Sequence, residues 1–296
     1  MADLTLTLPR EGLTPVELRG GIHYKRDDLL AFSNGVSGKV RTTLHLGELA
    51  RANGAEALVY GGSVHAPALG RVASAAAYLG MDCYLVIGSE LRTARRHATV
   101  QVCEAAGASF LKAPVAYNPA LQKKAREVAA GSDGLIFQVP YGVSTEPDWT
   151  RPEVEEFLNQ DLGQTDNLPD EVETLVVPFG SANAASGVMW SLASAPRPNL
   201  RRVVLMGIGP DKMPWFRTRL GNLGVRLEDM PFEIEHLPLH PHFAEYGDRM
   251  PETLDGIRFH PTYEGKMIRY LELVKPEWWT RRDGTTAFWI VGGPLP

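Results

Sequence analysis

The sequence contains little cysteine and no strong excess of one charge, and both absences limit the function classes. Cys83 and Cys103 are its only cysteines, each within an apolar segment, which predicts buried, reduced thiols rather than a disulfide. The 30 basic and 35 acidic residues give a formal charge of −5, so the overall charge does not attract a polyanion. Net charge therefore does not favour nucleic acid binding, although a local basic patch is compatible with it.

Long hydrophobic runs are also missing. No segment reaches the roughly 20 apolar residues that a membrane-spanning helix needs. The N-terminus, Met-Ala-Asp-Leu-Thr-Leu-Thr-Leu-Pro, lacks the basic start and apolar stretch of a signal peptide. Hydrophobic residues at 44% and charged residues at 22% are typical of a globular protein. We expect a cytoplasmic protein whose 296 residues suffice for two lobes.

Apolar strand-like runs alternate with helical periodicity along the chain, which is typical of parallel sheets with right-handed crossover helices. The predicted order in the first half is helix 42–53, strand 57–60, helix 67–79, strand 83–87, a helical stretch to 106, strand 107–111, helix 119–130 and strand 134–138. Short apolar runs at 174–177, 202–206 and 287–291 predict a second set of buried parallel strands. Residues 231–250, rich in Pro, His and acidic residues, are predicted to form an irregular surface segment.

Three glycine-containing loops follow predicted strands, at the sheet edge where open α/β folds bind ligands. They are 61–67, 180–187 and Gly292-Gly293. The second loop begins Gly180-Ser-Ala-Asn-Ala and leads into a predicted helix, so its backbone N–H groups and the Ser181 hydroxyl are suited to bind a phosphate. A helix cap without a ligand is the alternative interpretation.

Lys39 lies in another short glycine-containing loop, Ser37-Gly-Lys-Val-Arg41, immediately before a predicted helix. A lysine that loses its solvation and its proton in such a place forms a Schiff base with an aldehyde. The alternative is a solvated lysine at a helix start.

Several motifs, in the same order along the chain, resemble those of the fold type II (tryptophan synthase β-like) pyridoxal-phosphate enzymes, and most closely the aminocyclopropane-carboxylate deaminase and D-cysteine desulfhydrase group. Lys25-Arg-Asp-Asp-Leu and Gly38-Lys-Val-Arg41 are similar to that group's Lys-Arg-Glu-Asp and Gly-Asn-Lys-x-Arg. Gly61-Gly62 resembles the substrate loop, Gly180-Ser-Ala-Asn-Ala the Gly-Ser-Gly-Gly-Thr phosphate loop, and 256–266 the segment Asp-Pro-Val-Tyr-x-Gly-Lys.

The resemblance implies a two-lobed α/β protein with open, twisted parallel sheets, helices on both faces, and pyridoxal 5'-phosphate in the interdomain cleft. It implies a large cofactor-binding domain of residues 1–43 plus 139–296 and a small α/β domain of residues 44–138. A homodimer is a further expectation. Lys39 would carry the Schiff base; Gly180, Ser181, Ala182, Asn183 and Ala184 would bind the phosphate; Gly62, Ser63 and His65 would bind the substrate.

Three departures from the group's pattern bear on the chemistry. His65 and Ala66 stand where the group has a serine and an asparagine. Alanine cannot hydrogen-bond the cofactor's phenolic oxygen, whereas His65 either transfers a proton in place of the serine or only lines the cleft. Val291, where some relatives have a threonine near the pyridine nitrogen, offers no hydrogen-bonding group. The group's chains also continue past the last Gly-Gly, whereas this sequence ends at Pro296.

Tyr263 matches the tyrosine that lies near the substrate in the deaminases. The resemblance implies that it is catalytic together with Lys39 and His65, and core packing is the alternative. Lys266 is expected to support its own loop without a catalytic role.

The implied function is action on an amino acid through an external aldimine and a carbanion, with elimination or deamination as the reaction type. The departures at His65 and Ala66 motivate an alternative: an isomerase, lyase or decarboxylase acting on an amino-acid group carried on a larger molecule such as a modified nucleotide. A pyridoxal-phosphate-binding homologue without catalysis is the third possibility. The sequence does not identify the substrate or the bond that breaks.

Two further features receive less weight. His236, His240 and His242 form a histidine-rich tract, but no acid or cysteine at ligand spacing accompanies them, so no metal site is predicted. Trp278-Trp279 followed by Arg281-Arg282 has the composition of a base-stacking site. Packing or a subunit contact is the favoured interpretation of that pair.

Overall fold

The computed structural model describes residues 4–146, 148–245, 247–275 and 282–294. They form two compact units. The first unit combines Leu30–Asp148 with the N-terminal residues up to Arg10, and the second combines Glu11–Leu29 with Trp149–Pro294.

In chain order the strands are β1 (Val16–Arg19), β2 (Ile22–Arg26), β3 (Ala57–Gly61), β4 (Asp82–Ile87), β5 (Ser109–Lys112), β6 (Ile136–Gln138), β7 (Thr174–Phe179), β8 (Arg202–Gly207), β9 (Glu233–Pro238), β10 (Thr253–Leu254), β11 (Ile257–Arg258) and β12 (Thr286–Ile290). The α-helices are α1 (Val40–Ala52), α2 (Pro67–Leu79), α3 (Leu91–Ala94), α4 (Ala98–Ala105), α5 (Asn118–Ala130), α6 (Arg151–Asn159), α7 (Asn183–Ser194), α8 (Met213–Asn222) and α9 (Glu264–Val274).

The first unit is built on a four-stranded sheet in the order β5-β4-β3-β6, in which every pairing is parallel. Helix α2 is rich in alanine, and its small residues allow close packing against α1, α4 and the sheet. Pro67 starts this helix and Gly80, in the left-handed conformation, ends it. Cys83 and Cys103 are both buried and unbonded in this unit, and burial raises the pKa of each thiol, to about 12 for Cys103.

The second unit contains a six-stranded sheet in the order β1-β2-β12-β7-β8-β9. Only β1 pairs antiparallel within it; the other pairings are parallel. Alternate residues of its strands belong to two separate apolar clusters. Val177 and Phe179 lie in one cluster, and Val176 and Phe288 lie in the other. Apolar residues on both faces explain why these strands are continuous apolar runs in the sequence.

Short segments on both sides of residues 44–138 also lie in the first unit. Residues 30–43 belong to the first unit because Phe32 is buried in one core cluster with Ala75 of α2. Residues 139–148, which follow β6, also belong to it.

The mixed α/β architecture with parallel sheets confirms the predicted fold class. The prediction for 231–250 is wrong in part, because 233–238 form β9, paired with β8 from Arg202 to Gly207. This strand lies at the edge of the sheet, where polar residues are tolerated because one side of the strand has no partner. Among the helices that the structure describes, none is long and apolar enough to cross a bilayer.

Gly88 provides a test of the packing at the end of β4. A Cβ atom there would overlap Cα of Ala116 and lie 2.5 Å from its backbone nitrogen. We expect Gly88→Ala to lower the free energy of unfolding by about 1–3 kcal/mol, because a backbone segment must shift. Gly221→Ala in α8 is the control, since no atom lies within 4 Å of its Cβ position. That variant should unfold at an equal or higher temperature. Equal losses of melting temperature in both variants would contradict the packing.

Candidate functional site

Lys39 immediately precedes α1 with a left-handed backbone, φ 53° and ψ 28°. A lysine rarely adopts this conformation, which costs roughly 1–2 kcal/mol and recurs at functional sites. Its carbonyl accepts hydrogen bonds from the Thr43 backbone N–H (2.9 Å) and hydroxyl (2.6 Å), which secure the first turn of α1. Its half-buried side chain donates from Nζ to the Gly142 carbonyl oxygen at 2.5 Å.

The Gly142 peptide connects Lys39 to the end of β3. While its carbonyl accepts from Lys39, its N–H donates to the Tyr60 hydroxyl at 3.3 Å. Tyr60 immediately precedes the predicted substrate loop. Within the first unit, the predicted Schiff-base lysine and the residue before that loop therefore both hydrogen-bond the backbone of the same residue, Gly142.

The predicted substrate loop follows β3. Gly61 and Gly62 are buried, and a Cβ at Gly61 would overlap the Leu121 carbonyl of α5, so glycine is required there. The His65 backbone N–H donates to the Ser63 hydroxyl at 3.3 Å. The His65 side chain is exposed and its ring lies edge-on to that of His97, with centroids 4.5 Å apart. His65 thus has an exposed imidazole able to meet a ligand.

The predicted phosphate loop in the second unit is a tight turn between β7 and α7. Ala182 has a left-handed backbone, φ 63°, and its carbonyl accepts the Ser186 N–H at 2.8 Å. The side chains of Gly180, Ala182 and Ala184 are absent or small, so the start of α7 is open to close approach by an anion. A Cβ at Gly180 would lie 3.7 Å from the ring of Tyr263. Tyr263 and this loop, both predicted site elements, are therefore neighbours.

A buried arginine that the motifs did not indicate supports the same loop. Arg219 of α8 donates from Nη1 to the Asn183 side-chain oxygen at 2.6 Å, and its guanidinium lies 4.9 Å from the ring of Trp215 and 5.5 Å from that of Phe157. Burial lowers its pKa to about 10. Nε and Nη2 have no hydrogen-bond partner among the described residues. Its positive charge lies next to the first residue of α7, where it adds to the helix dipole in favouring an anion.

Glu264 is the second functional candidate that sequence reasoning missed. Its side chain is 1% exposed, and Oε1 accepts the Val291 backbone N–H at 3.0 Å, immediately beyond β12. Oε2 is buried without a hydrogen-bond partner among the described residues. Burial is the main cause that raises the pKa of this carboxyl to about 7, with the Asp28 charge adding to it. Val291 itself has no hydrogen-bonding side chain, but the buried Glu264 carboxyl contacts its backbone. In the sequence, only the place of Glu264 as the x residue of the Tyr-x-Gly-Lys motif could have drawn attention to it.

The remaining motif residues have local roles. Tyr263 precedes α9 and its ring lies 4.8 Å from that of His260. Lys266 is fully buried and donates from Nζ to the Glu245 carbonyl at 2.5 Å, and burial lowers its pKa. This contact fixes the loop before β10, in keeping with the structural role expected of Lys266.

The histidine-rich tract is spread over separate environments. His236 lies in β9 against the ring of Phe179, at 5.3 Å, and burial lowers its pKa. His240 lies 3.4 Å from the carboxylate of Glu245. In the described part of the chain no three His, Cys, Asp or Glu side chains form a metal-binding group. Of the Trp-Trp-x-Arg-Arg segment, only Arg282 lies within the described residues, and it pairs with Asp255 at 3.1 Å.

Comparison with known proteins identifies the fold. No protein-family model matches the chain. The O-seryl-dTMP PLP-dependent decarboxylase of Salmonella phage ViI is 25% identical over 96% of this chain and 81% of that protein.

Among solved structures, an ACC deaminase homologue superposes with a TM-score of 0.73 at 20% identity, covering 97% of this chain and 90% of that one. Maize serine racemase gives 0.60 at 15% identity, covering 95% and 89%. A pyridoxal 5'-phosphate-dependent aspartate racemase gives 0.57 at 15% identity, covering 96% and 90%. The chain has the fold of the fold type II pyridoxal-phosphate enzymes, which confirms the fold that the motifs implied.

The raised pKa of Glu264 predicts a distinctive pH dependence of stability. The folded protein keeps the proton up to about pH 7, whereas the unfolded chain loses it near 4.5, the ordinary pKa of a glutamate. Between these values the folded state binds more protons at this carboxyl, so its contribution to the free energy of unfolding should fall by about 3 kcal/mol as pH rises from 4.5 to 7.

Glu264→Gln should remove this loss, as measured by urea unfolding of ligand-free protein at several pH values. The exposed control Glu156→Gln changes the charge equally and should keep the wild-type slope. An unchanged slope in Glu264→Gln would show that the carboxyl is ionised throughout.

Proposed function

We propose that the protein is a pyridoxal-phosphate-dependent enzyme that decarboxylates an amino-acid group carried on a nucleotide. The observation that carries the cofactor assignment is Lys39, with its left-handed backbone and half-buried amine held by Gly142. The phage relative, named as a PLP-dependent decarboxylase of O-seryl-dTMP and aligned along 96% of this chain, supports the substrate class and the reaction.

The residues present fit this cofactor. The turn from Gly180 to Ala184 offers small side chains and the open start of α7 to a phosphate, with the Arg219 charge behind it. Glu264 offers a buried oxygen without a partner among the described residues and a carboxyl that holds or releases a proton near neutrality. A carboxylate of this kind can accept a hydrogen bond from a protonated ring nitrogen of the cofactor. An apolar side chain such as that of Val291 cannot.

When bound, pyridoxal phosphate supplies a conjugated ring that accepts the electron pair of a bond broken at Cα. The chain's own residues then position the substrate and move protons. Lys39 would hold the cofactor's aldehyde through Nζ, and the same amine would serve to hold or release a proton near Cα. Tyr263 beside Gly180 offers a phenol that donates to or accepts from the substrate, and Ser63 and His65 offer a hydroxyl and an imidazole.

The substrate class is supported by the loop after β3. His65 is exposed and Ala66 is small, and together they replace the serine and asparagine of the deaminase group. An exposed imidazole in place of a small hydroxyl suits a substrate that extends beyond a free amino acid. This departure agrees with a nucleotide attached to the amino-acid side chain, as in the substrate for which the phage relative is named.

Deamination or elimination on a free amino acid is the second candidate function. The structural likeness to an ACC deaminase homologue, with a TM-score of 0.73, favours it. Tyr263 also retains the position of the deaminase motif. The cytoplasmic location and homodimer expected from the sequence stay predictions under either function.

Removing the amine at Lys39 tests the cofactor assignment. We expect purified wild type, incubated with pyridoxal phosphate and then freed of unbound cofactor, to absorb visible light, and Lys39→Ala to lose that absorbance because it lacks the amine held by Gly142. Lys123→Ala, which removes an exposed lysine of α5, is the control and should absorb as wild type does. A wild type that stays colourless with added cofactor would refute the assignment.

Product analysis separates the two candidate functions. With O-seryl-dTMP we expect one carbon dioxide per substrate consumed and an amine retained on the nucleotide, with much slower turnover of free serine. Decarboxylation should depend on cofactor loading. Rapid ammonia release from D-cysteine or aminocyclopropane carboxylate, without carbon dioxide from the seryl nucleotide, would instead establish the deaminase function.

A further inference from the structure

The parallel sheet of the first unit brings a turn beside Tyr60. Strand β6 runs parallel to β3, and just beyond β6 the Val139 N–H donates to the Val59 carbonyl at 2.9 Å. Tyr60 is the next residue of β3, and it pairs on its other side with Leu85 of β4. The residues that follow Val139 therefore lie next to a tyrosine whose backbone is held within the sheet.

Residues 140–143 form a turn that contains two left-handed residues. The Val143 N–H donates to the Pro140 carbonyl at 3.0 Å, and Gly142 has φ 74°, the positive value that the third residue of a type II turn requires. Val143 has φ 53° and is fully buried, although β-branched residues rarely adopt that conformation. Strain of this kind persists only where surrounding contacts enforce it, and it recurs at functional sites.

The backbone of Gly142, within this turn, is held on two sides. Its N–H donates to the Tyr60 hydroxyl at 3.3 Å, and its carbonyl accepts from Lys39 Nζ at 2.5 Å. Tyr60 is 1% exposed, so the packing around its ring leaves the hydroxyl little room to move. The direction of the Gly142 carbonyl, and with it the position of the Lys39 amine, therefore depends on a buried phenol that the sequence motifs do not include.

The backbone of Lys39 is fixed as well as its amine. Its carbonyl accepts hydrogen bonds from the hydroxyls of Thr43 at 2.6 Å and Thr42 at 3.2 Å. With both ends of the side chain held, a neutral amine that donates one N–H to the Gly142 carbonyl points its lone pair away from that oxygen. Attack on an aldehyde needs the lone pair aligned with the aldehyde carbon, so this orientation bears directly on the rate of attack.

We propose that Tyr60 is a positioning residue for Lys39. Its hydroxyl orients Gly142, and the Gly142 carbonyl turns the lone pair of the neutral Lys39 amine toward an incoming aldehyde. Nζ attacks the aldehyde carbon, its two protons leave with the aldehyde oxygen as water, and a C=N bond remains. The inference rests on the proposed function, which identifies the aldehyde as pyridoxal phosphate, and it adds the group that orients the amine.

Tyr60→Phe tests the proposal because it removes the hydroxyl and keeps the ring. The Gly142 N–H then loses its acceptor, and Gly142 can rotate away from Lys39. We expect the visible absorbance from added pyridoxal phosphate to develop about five- to tenfold more slowly than in wild type. The control is Tyr84→Phe on the neighbouring strand β4, a half-buried phenol whose hydroxyl has no hydrogen bond among the described residues. It should keep the wild-type rate.

Binding of 4'-deoxypyridoxine 5'-phosphate separates positioning from a merely structural role. This compound has a methyl group in place of the aldehyde, so it forms no bond with Lys39. We expect Tyr60→Phe to bind it within about twofold of wild type, because only the orientation of the reacting amine is lost. A loss of affinity for this compound as large as the loss of attachment rate would show that Tyr60 only supports the fold, and would overturn the inference.

Failure of this inference is distinguishable from failure of the proposed function. Cofactor absorbance that develops at the same rate in wild type and Tyr60→Phe overturns the inference alone. If wild type stays colourless with pyridoxal phosphate, reductive methylation with formaldehyde and cyanoborohydride, read by mass spectrometry of the Lys39 peptide, takes its place. Slower methylation of Lys39 in Tyr60→Phe, with unchanged methylation of the exposed Lys123, then supports the inference while the proposed function fails. Equal methylation of Lys39 in both proteins overturns the inference as well.

Discussion

The hydrogen bond from the Lys39 ammonium to the Gly142 carbonyl (2.5 Å) joins the start of α1 to the loop after β6. Two features make this contact specific: the left-handed backbone of Lys39 aims its side chain, and the Tyr60 hydroxyl holds the Gly142 peptide from the other side. A lysine is costly in this conformation, which glycine adopts more easily. The proposed chemistry begins from this amine.

The second unit contains two buried charged groups, Arg219 and Glu264. Arg219 lies between two aromatic rings with one guanidinium nitrogen on Asn183, and Glu264 keeps one carboxyl oxygen without a partner among the described residues. Burying either group without full hydrogen bonding is unfavourable. Perturbed, incompletely satisfied groups of this kind cluster at ligand sites. A phosphate near the start of α7 and a protonated nitrogen near Glu264 would provide the missing interactions.

Much of the fold was predictable because it depends on local patterns. The strands around 57–60, 83–87, 174–177 and 202–206 are short apolar runs, and buried parallel strands have that signature. Strand β9 escaped prediction since an edge strand needs few apolar residues. A close backbone contact leaves a signature in the sequence at Gly61, where a Cβ would overlap the Leu121 carbonyl. Glu264 and Arg219 depend on burial and on long-range contacts, which no spacing along the chain reveals.

The central claim is that Lys39 is the residue that holds pyridoxal phosphate. Borohydride reduction of the cofactor-loaded protein, followed by proteolysis and mass spectrometry, tests it most directly because reduction makes the bond to the amine permanent. We predict one phosphopyridoxyl group per chain, on the peptide that contains Lys39. Modification at Lys25 or Lys266 instead, or distributed among the exposed lysines, would contradict the account.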